Sequence, residues 1–340
     1  MLRLFLAFVV MLLMIPSWGC VPESKSSPQA GGEEAAEPQQ REEFAGDRAS
    51  NTKAAPVAFD TKRAMSYLEK ICDIGPRISG TEGMRTQQEL VKKHFEELGA
   101  RVRFQKFNAL QRSRDKQIEM ANFIVSWHPD RERRVILCSH YDTRPIADQE
   151  EDRRNWTRPF LSANDGGSGV ALLMELAHHM KDLKTNVGVD FVLFDGEEYI
   201  FEPGPDGDRY FFGSEHFAEA YRKDRSKLRY LGAVLLDMIA GKRAHFPYEK
   251  HSWEMARPLT QNLWQIAREL KCDAFHQEME RGDGVLDDHI ALNRAGIPSC
   301  DIIDFEYPHW HRLTDVPTSC SGESMEQVGK VLSVWLQRVK

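Results

Sequence analysis

His140, Asp165, Glu197, Glu198, Asp237 and His311 are side chains of the types that hold a metal ion or move a proton. Carboxylate oxygens and imidazole nitrogens are what zinc accepts in sites that keep a position open for substrate. Any one of them alone reads as a solvated or structural side chain. Delivered together from separate segments, His140, Asp165, Glu198, Asp237 and His311 outline a metal site. Glu197 and Glu198 are adjacent at the end of an apolar run, so their side chains point in different directions. One can bind the metal while the other faces the reacting atoms as acid or base. Asp165 lies in Ser162-Ala163-Asn164-Asp165-Gly166-Gly167-Ser168-Gly169, just before an apolar helix, where an Asp could serve only as a cap. Ser168 can cap alone, which would free Asp165, and the glycines let backbone come close to an ion.

These residues need elements to position them. Val135-Ile136-Leu137-Cys138, Phe191-Val192-Leu193-Phe194, Ala233-Val234-Leu235-Leu236 and Cys300-Asp301-Ile302-Ile303 are short runs that predict strands buried on both faces. Apolar spacing predicts helices over 64–72, 86–98, 168–181, 215–222, 253–270 and 324–339, with a turn at Gly75-Pro76 through Gly80. Strands alternating with helices give an α/β fold: a single globular domain with a mixed, mostly parallel central sheet flanked by helices. In such sheets ligands bind beyond the carboxyl ends of the strands. His140 and Asp142 follow the first run, Asp195 and the Glu pair the second, Asp237 ends the third, and His309-Trp310-His311 lies beyond the fourth.

Composition narrows the rest. The chain has 340 residues, 41% hydrophobic and 29% charged, with a net charge of -7. No basic excess exists to hold a phosphate backbone, so nucleic acid is excluded as a partner. The basic run Arg131 to Arg134 reads as a solvated turn between strands. Six cysteines in this length do not make a disulfide scaffold, and buried free thiols are expected. Met1-Leu2-Arg3 followed by the apolar run Leu4 to Ile15 suits a signal peptide and is too short to span a bilayer. Gly19-Cys20 resembles a bacterial lipobox, although Trp18 stands where a small residue is usual; 1–20 is therefore read as a leader with Cys20 as a site of acylation. Residues 21–56, rich in Glu, Gln, Pro, Ser, Ala and Gly, read as a disordered tether. The folded domain is expected over 57–340, exported to the periplasm or cell surface, anchored to the membrane by lipid on Cys20, and monomeric by default.

The stretches CSHYDT, SANDGGSGVALLMELA, FVLFDGEEY, LLDMIAG, DDHIALNRAGIP and WHRLTD, with the earlier GPRISGTEG, resemble the zinc peptidase-like M28 clan from about Phe59 to the C-terminus. The clan contains di-zinc aminopeptidases and the animal type of glutaminyl-peptide cyclotransferase, which works with one zinc. By resemblance to the cyclases, Asp165, Glu198 and His311 are the zinc ligands and Glu197 the catalytic acid/base. Asp237 and Asp287 are the hydrogen-bonded carboxylates, sharing a proton, and Trp310 with Tyr307 lines the substrate pocket. The implied reaction turns an N-terminal Gln, more slowly Glu, of peptides into pyroglutamate. The alternative is an aminopeptidase with two zincs, in which His140 and Asp237 hold the second metal; a binding domain without catalysis is a third reading. Asp287, where aminopeptidases usually carry Ser, favours the cyclase branch. Departures from the animal enzymes are the loop Tyr199 to Asp208, which lacks their Trp, Asp301 in place of a His, and no counterpart of their cysteine bridge.

Overall fold

Residues 54–204, 206–224 and 228–340 are described by the computed structural model. The leader and all but the last residues of the tether lie outside the described residues. In chain order the elements are α1 (Thr61–Cys72), α2 (Glu82–Glu97), β1 (Arg101–Gln111), β2 (Lys116–Trp127), β3 (Arg133–His140), α3 (Gly167–Met180), β4 (Gly188–Phe194), α4 (Phe212–Lys223), β5 (Arg229–Asp237), β6 (Phe246–Tyr248), α5 (Lys250–Met255), α6 (Arg257–Leu270), β7 (Phe275–Met279), α7 (Asp288–Arg294), β8 (Ser299–Ile303) and α8 (Gly322–Arg338).

The main sheet has the order β1-β2-β4-β3-β5-β8. Its β4, β3, β5 and β8 are parallel, and β2 joins antiparallel with β1 beyond it. The parallel strands are buried along both faces, as their unbroken apolar runs require. Alternate residues serve opposite layers: Leu137, Phe191 and Val234 join one core with α1, α2, α3, α6 and α8, while Ile136, Val192 and Ala233 join another with Phe217 of α4 and Leu292 of α7. The result is helices on both faces of a mixed sheet, the expected fold class.

Three local expectations change. The helix expected over 253–270 is two helices, because Ala256 leaves helical geometry at φ -137 and Pro258 opens the first turn of α6. The hairpin β1–β2 was not anticipated; β1 is exposed or half-buried along most of its length, so its pattern carries no apolar run. Arg134 is not in a solvated turn. It is buried, pairs with Asp190 at 2.7 Å, and donates to the carbonyls of Trp127, His128 and Val189, tying β2, β3 and β4 together at their far end. The five described cysteines, Cys72, Cys138, Cys272, Cys300 and Cys320, are buried free thiols as expected.

Candidate active site

The carboxyl ends of β3, β4 and β5 deliver His140, the loop with Glu197 and Glu198, and Asp237 to one edge of the sheet. Asp142 fixes the glutamate pair by accepting the backbone N–H groups of Glu197 at 3.1 Å and Glu198 at 3.2 Å. The N–H of Arg144 holds Glu198 Oε1 at 3.0 Å, while its guanidinium grips Asp148 with two bonds of 2.9 Å. Asp148 Oδ1 in turn lies 2.9 Å from His311 Nδ1. That contact turns His311 Nε2 toward Glu198 at 3.1 Å and Asp165 at 3.5 Å. Orienting a ligand imidazole through its other nitrogen is what metal sites require.

Asp165 is placed by its backbone. Asp315 accepts the N–H of Asn164 at 2.9 Å and of Asp165 at 3.1 Å. Gly166 then turns left-handed at φ 74, and a Cβ there would meet the Asp142 carbonyl oxygen and His140 Cε1, both at 2.7 Å. Ser168 is not the cap it was expected to be. Its hydroxyl donates to the Asn164 carbonyl and accepts the N–H of Ile239, and the capping position before α3 is Gly166, which has no side chain to cap it. Ser162, Met238 and His311 also hold left-handed φ beside the site, a concentration of strain suited to a functional edge.

Three overlapping donor sets converge, one of them His140, Glu197 and Glu198. Ligand atoms of Asp165, Glu198 and His311 lie within 4.8 Å of one another, as do those of His140, Asp165 and Asp237. Among the described residues, Asp165 Oδ2, Asp237 Oδ1 and both ring nitrogens of His140 are buried without a well-directed hydrogen bond. His140 Nε2 lies only 3.1 Å from Asp165 Oδ1 and 3.3 Å from Asp237 Oδ1, a cluster of ligand atoms that a cation would satisfy. Nitrogen and carboxylate donors at this spacing fit zinc. Burial, then the charge of Asp165, raises Glu198 to about 7. Burial also pushes Glu197 well above its ordinary range, with Asp287 and Glu198 adding to the effect and His140 opposing it. The crowding of negative charge is what a divalent ion would relieve.

Asp165, Glu197, Glu198, Asp237, Asp287, Trp310 and His311 line one cavity of about 450 Å³. Tyr307 does not line it. It is buried behind the site, its hydroxyl donating to Asp315 at 2.8 Å, so it supports the loop that carries Asp165. Nor, among the described residues, does a hydrogen bond join Asp237 to Asp287. Asp237 Oδ1 faces His140 Nε2 at 3.3 Å, and Asp287 Oδ1 accepts the N–H of Asp288 at the start of α7. The two carboxyls interact through space: burial, then Asp237, pushes Asp287 well above the usual carboxylate range. Arg144, Asp148, Leu286 and Phe305 also line the cavity, and none stood out in the sequence. Asp315 could have been suspected from the final Asp of WHRLTD; Asp148 and Phe305 carry no comparable signal. Asp301 is buried against a histidine from another element, His289 of α7, whose Nδ1 lies 3.8 Å away.

A model of peptidase family M28 matches residues 122–336. The chain belongs to peptidase family M28. Within that family it is similar to a glutaminyl-peptide cyclotransferase of Drosophila melanogaster, 25% identical over 71% of this chain and 70% of the relative. The M28 chain spans 60% of the length of a cyclotransferase-like relative from Bos taurus. Among solved structures it is similar to the glutaminyl cyclase of Fimbriiglobus ruber, with 54% identity, a TM-score of 0.82, and coverage of 84% of this chain and 97% of that one. A Zn-dependent exopeptidase of Parabacteroides distasonis, 26% identical with a TM-score of 0.75 over 84% of this chain and 100% of that one, shares the architecture.

Proposed function

We infer that this protein is a zinc-dependent glutaminyl-peptide cyclotransferase, converting the N-terminal Gln of a peptide, and more slowly Glu, to pyroglutamate. One observation carries the reading: Glu197 and Asp287 share a cavity with the donor set Asp165, Glu198 and His311, in a chain 54% identical to a glutaminyl cyclase. Those three residues would hold one zinc, which when bound supplies a Lewis acid for the γ-carbonyl of the substrate.

The chain's own residues do the remainder. Trp310, backed by Phe305 at a ring separation of 5.0 Å, walls the cavity that folds the Gln side chain toward its own amine. Holding a five-membered-ring geometry gives the α-nitrogen the effective concentration of an intramolecular nucleophile. As the bond from that nitrogen to the δ-carbon forms, Glu197 accepts the amine proton. It returns the proton to the amide nitrogen as the carbon–nitrogen bond breaks, so ammonia leaves and no water is consumed. Asp287, with its raised affinity for a proton, would hold the neutral form beside Glu197 and bind the leaving amide.

The aminopeptidase reading has one observation in its favour, the convergence of His140, Asp165 and Asp237 on a second position. Ammonia release from a short Gln peptide, with zinc measured on the same sample, separates the two. Ammonia, a blocked product N-terminus and one zinc per chain are expected; free amino acid with two zincs would overturn the cyclase reading. Glu197→Gln is expected to lower kcat by about a hundredfold or more with zinc retained, and near-normal turnover would remove Glu197 from its role.

Export with lipid on Cys20 belongs to the same proposal, supported by the run Leu4 to Ile15 and by Gly19-Cys20. Mass spectrometry of the mature N-terminal peptide tests it, and sedimentation tests the monomer.

A further inference from the structure

We propose that a groove beside the catalytic cavity receives the residues following the N-terminal Gln and selects peptides that carry Lys or Arg there. The proposal rests on the cyclotransferase reading and names its substrate class. Gly284, Val285, Ile303 and Phe305 line both the catalytic cavity and a second hollow of about 260 Å³, so the two adjoin. A peptide whose first residue sits at Glu197 would reach the hollow by running its next residues over that shared border.

The hollow has walls of two kinds. Met279, Val285, Ile303 and Phe305 are apolar, and Met279 and Phe305 remain 41% and 49% exposed, ready to cover the stem of a long side chain. Glu278, Glu280, Asp283 and Glu306 face them, with Glu249 buried among them. The cationic groups of the lining are Arg281 and His245, and His245 is engaged by Glu278 at 3.1 Å. Burial, then the neighbouring Glu249, raises Glu280 to about 7, with the Gly284 N–H and Lys250 opposing, and a cation placed beside it would favour its charged form. The other side of the cavity, between α4 and α7, sets Arg209, Arg222 and Arg294 against Glu215 and Glu219 and offers a cation no comparable preference.

The test compares three substrates of one preparation: Gln-Ala-amide, Gln-Ala-Lys-Lys-amide and Gln-Ala-Glu-Glu-amide. At low ionic strength the Lys peptide is expected to exceed the Glu peptide in kcat/KM by about tenfold, mostly through KM, and the ratio is expected to approach one near 0.5 M salt. In E278Q/E280Q/E306Q the ratio should fall to within about twofold, a comparison on a single enzyme from which general damage cancels. Should the triple variant not fold, E278K at the exposed rim is expected to cut the ratio at least about twofold. A wild-type ratio near one overturns the groove, as does a ratio that survives the variants, which would trace instead to the net charge of -7. No ammonia from Gln-Ala-amide overturns the cyclotransferase reading and the groove with it.

Discussion

His311, a proposed zinc ligand, shows how much one donor depends on residues outside the donor set. Its ring is set by Asp148, and Asp148 by the two-pronged grip of Arg144. The same contacts hold Asp148 at about 2: burial opposes its charge, and His311 and Arg144 outweigh that. Asp148→Asn is therefore expected to weaken zinc binding by about tenfold to a hundredfold, read by competition with a chromophoric chelator. Unchanged affinity would mean that Asp148 supports the fold alone. Tyr307 and Trp310, three positions apart, are expected to part company. Trp310→Ala should raise KM for Gln peptides by roughly tenfold, since it walls the cavity. Tyr307→Phe should leave KM within about twofold while lowering stability by about 1–2 kcal/mol, through the lost bond to Asp315. A KM effect at Tyr307 would return it to the pocket wall.

At the scale of elements, the site is an edge built by strand ends, and the opposite edge keeps those ends in register. Arg134 is the clamp there, with Asp190 accepting two of its bonds and the hydroxyls of Tyr230 and Ser126 completing the cluster. Arg134→Met leaves Asp190 buried without its cation, which costs about 3–5 kcal/mol. The expected result is a lower midpoint in urea unfolding, with kcat of the folded fraction near wild type because the cluster is remote from Glu197. An equal loss of kcat would show that β3 and β4 transmit the disturbance to their carboxyl ends.

For the whole molecule, many buried carboxyls make stability depend on pH. Glu249 is held at about 2, against an ordinary 4.5: burial opposes its charge, but His289 at 3.1 Å and the hydroxyl and N–H of Ser252, both at 2.6 Å, prevail. A carboxyl depressed in the folded state contributes stability above its unfolded pKa, and the contribution is lost as pH falls from about 4.5 toward about 2. The difference in unfolding free energy between wild type and Glu249→Gln should be on the order of 3 kcal/mol at pH 6 and shrink below pH 4. Removing zinc with a chelator is expected to lower Tm and its return to restore it, because an ion held by the folded chain alone would stabilise it and neutralise the converged carboxylates. A Tm indifferent to chelation would deny a structural coupling of the site.

The sequence by itself determined the fold class and supplied the members of the candidate site. Parallel strands buried on both faces must be written as apolar runs, and the polar residues ending those runs fall at the ligand-binding edge whatever the loops do. Hence Glu197, Glu198, Asp237 and His311 were legible at or beyond strand ends and Asp165 in its glycine-rich turn, while Asp287 was named only by the family resemblance; the structure gathers all six around one cavity. Tertiary structure alone decided how they relate. Whether Tyr307 faced the cavity or Asp315, whether Asp237 met Asp287 or His140, and whether Arg134 was solvated or clamped depended on partners distant in sequence. Hydrogen-bond partners of buried polar groups are chosen in space, among residues that no local periodicity brings together.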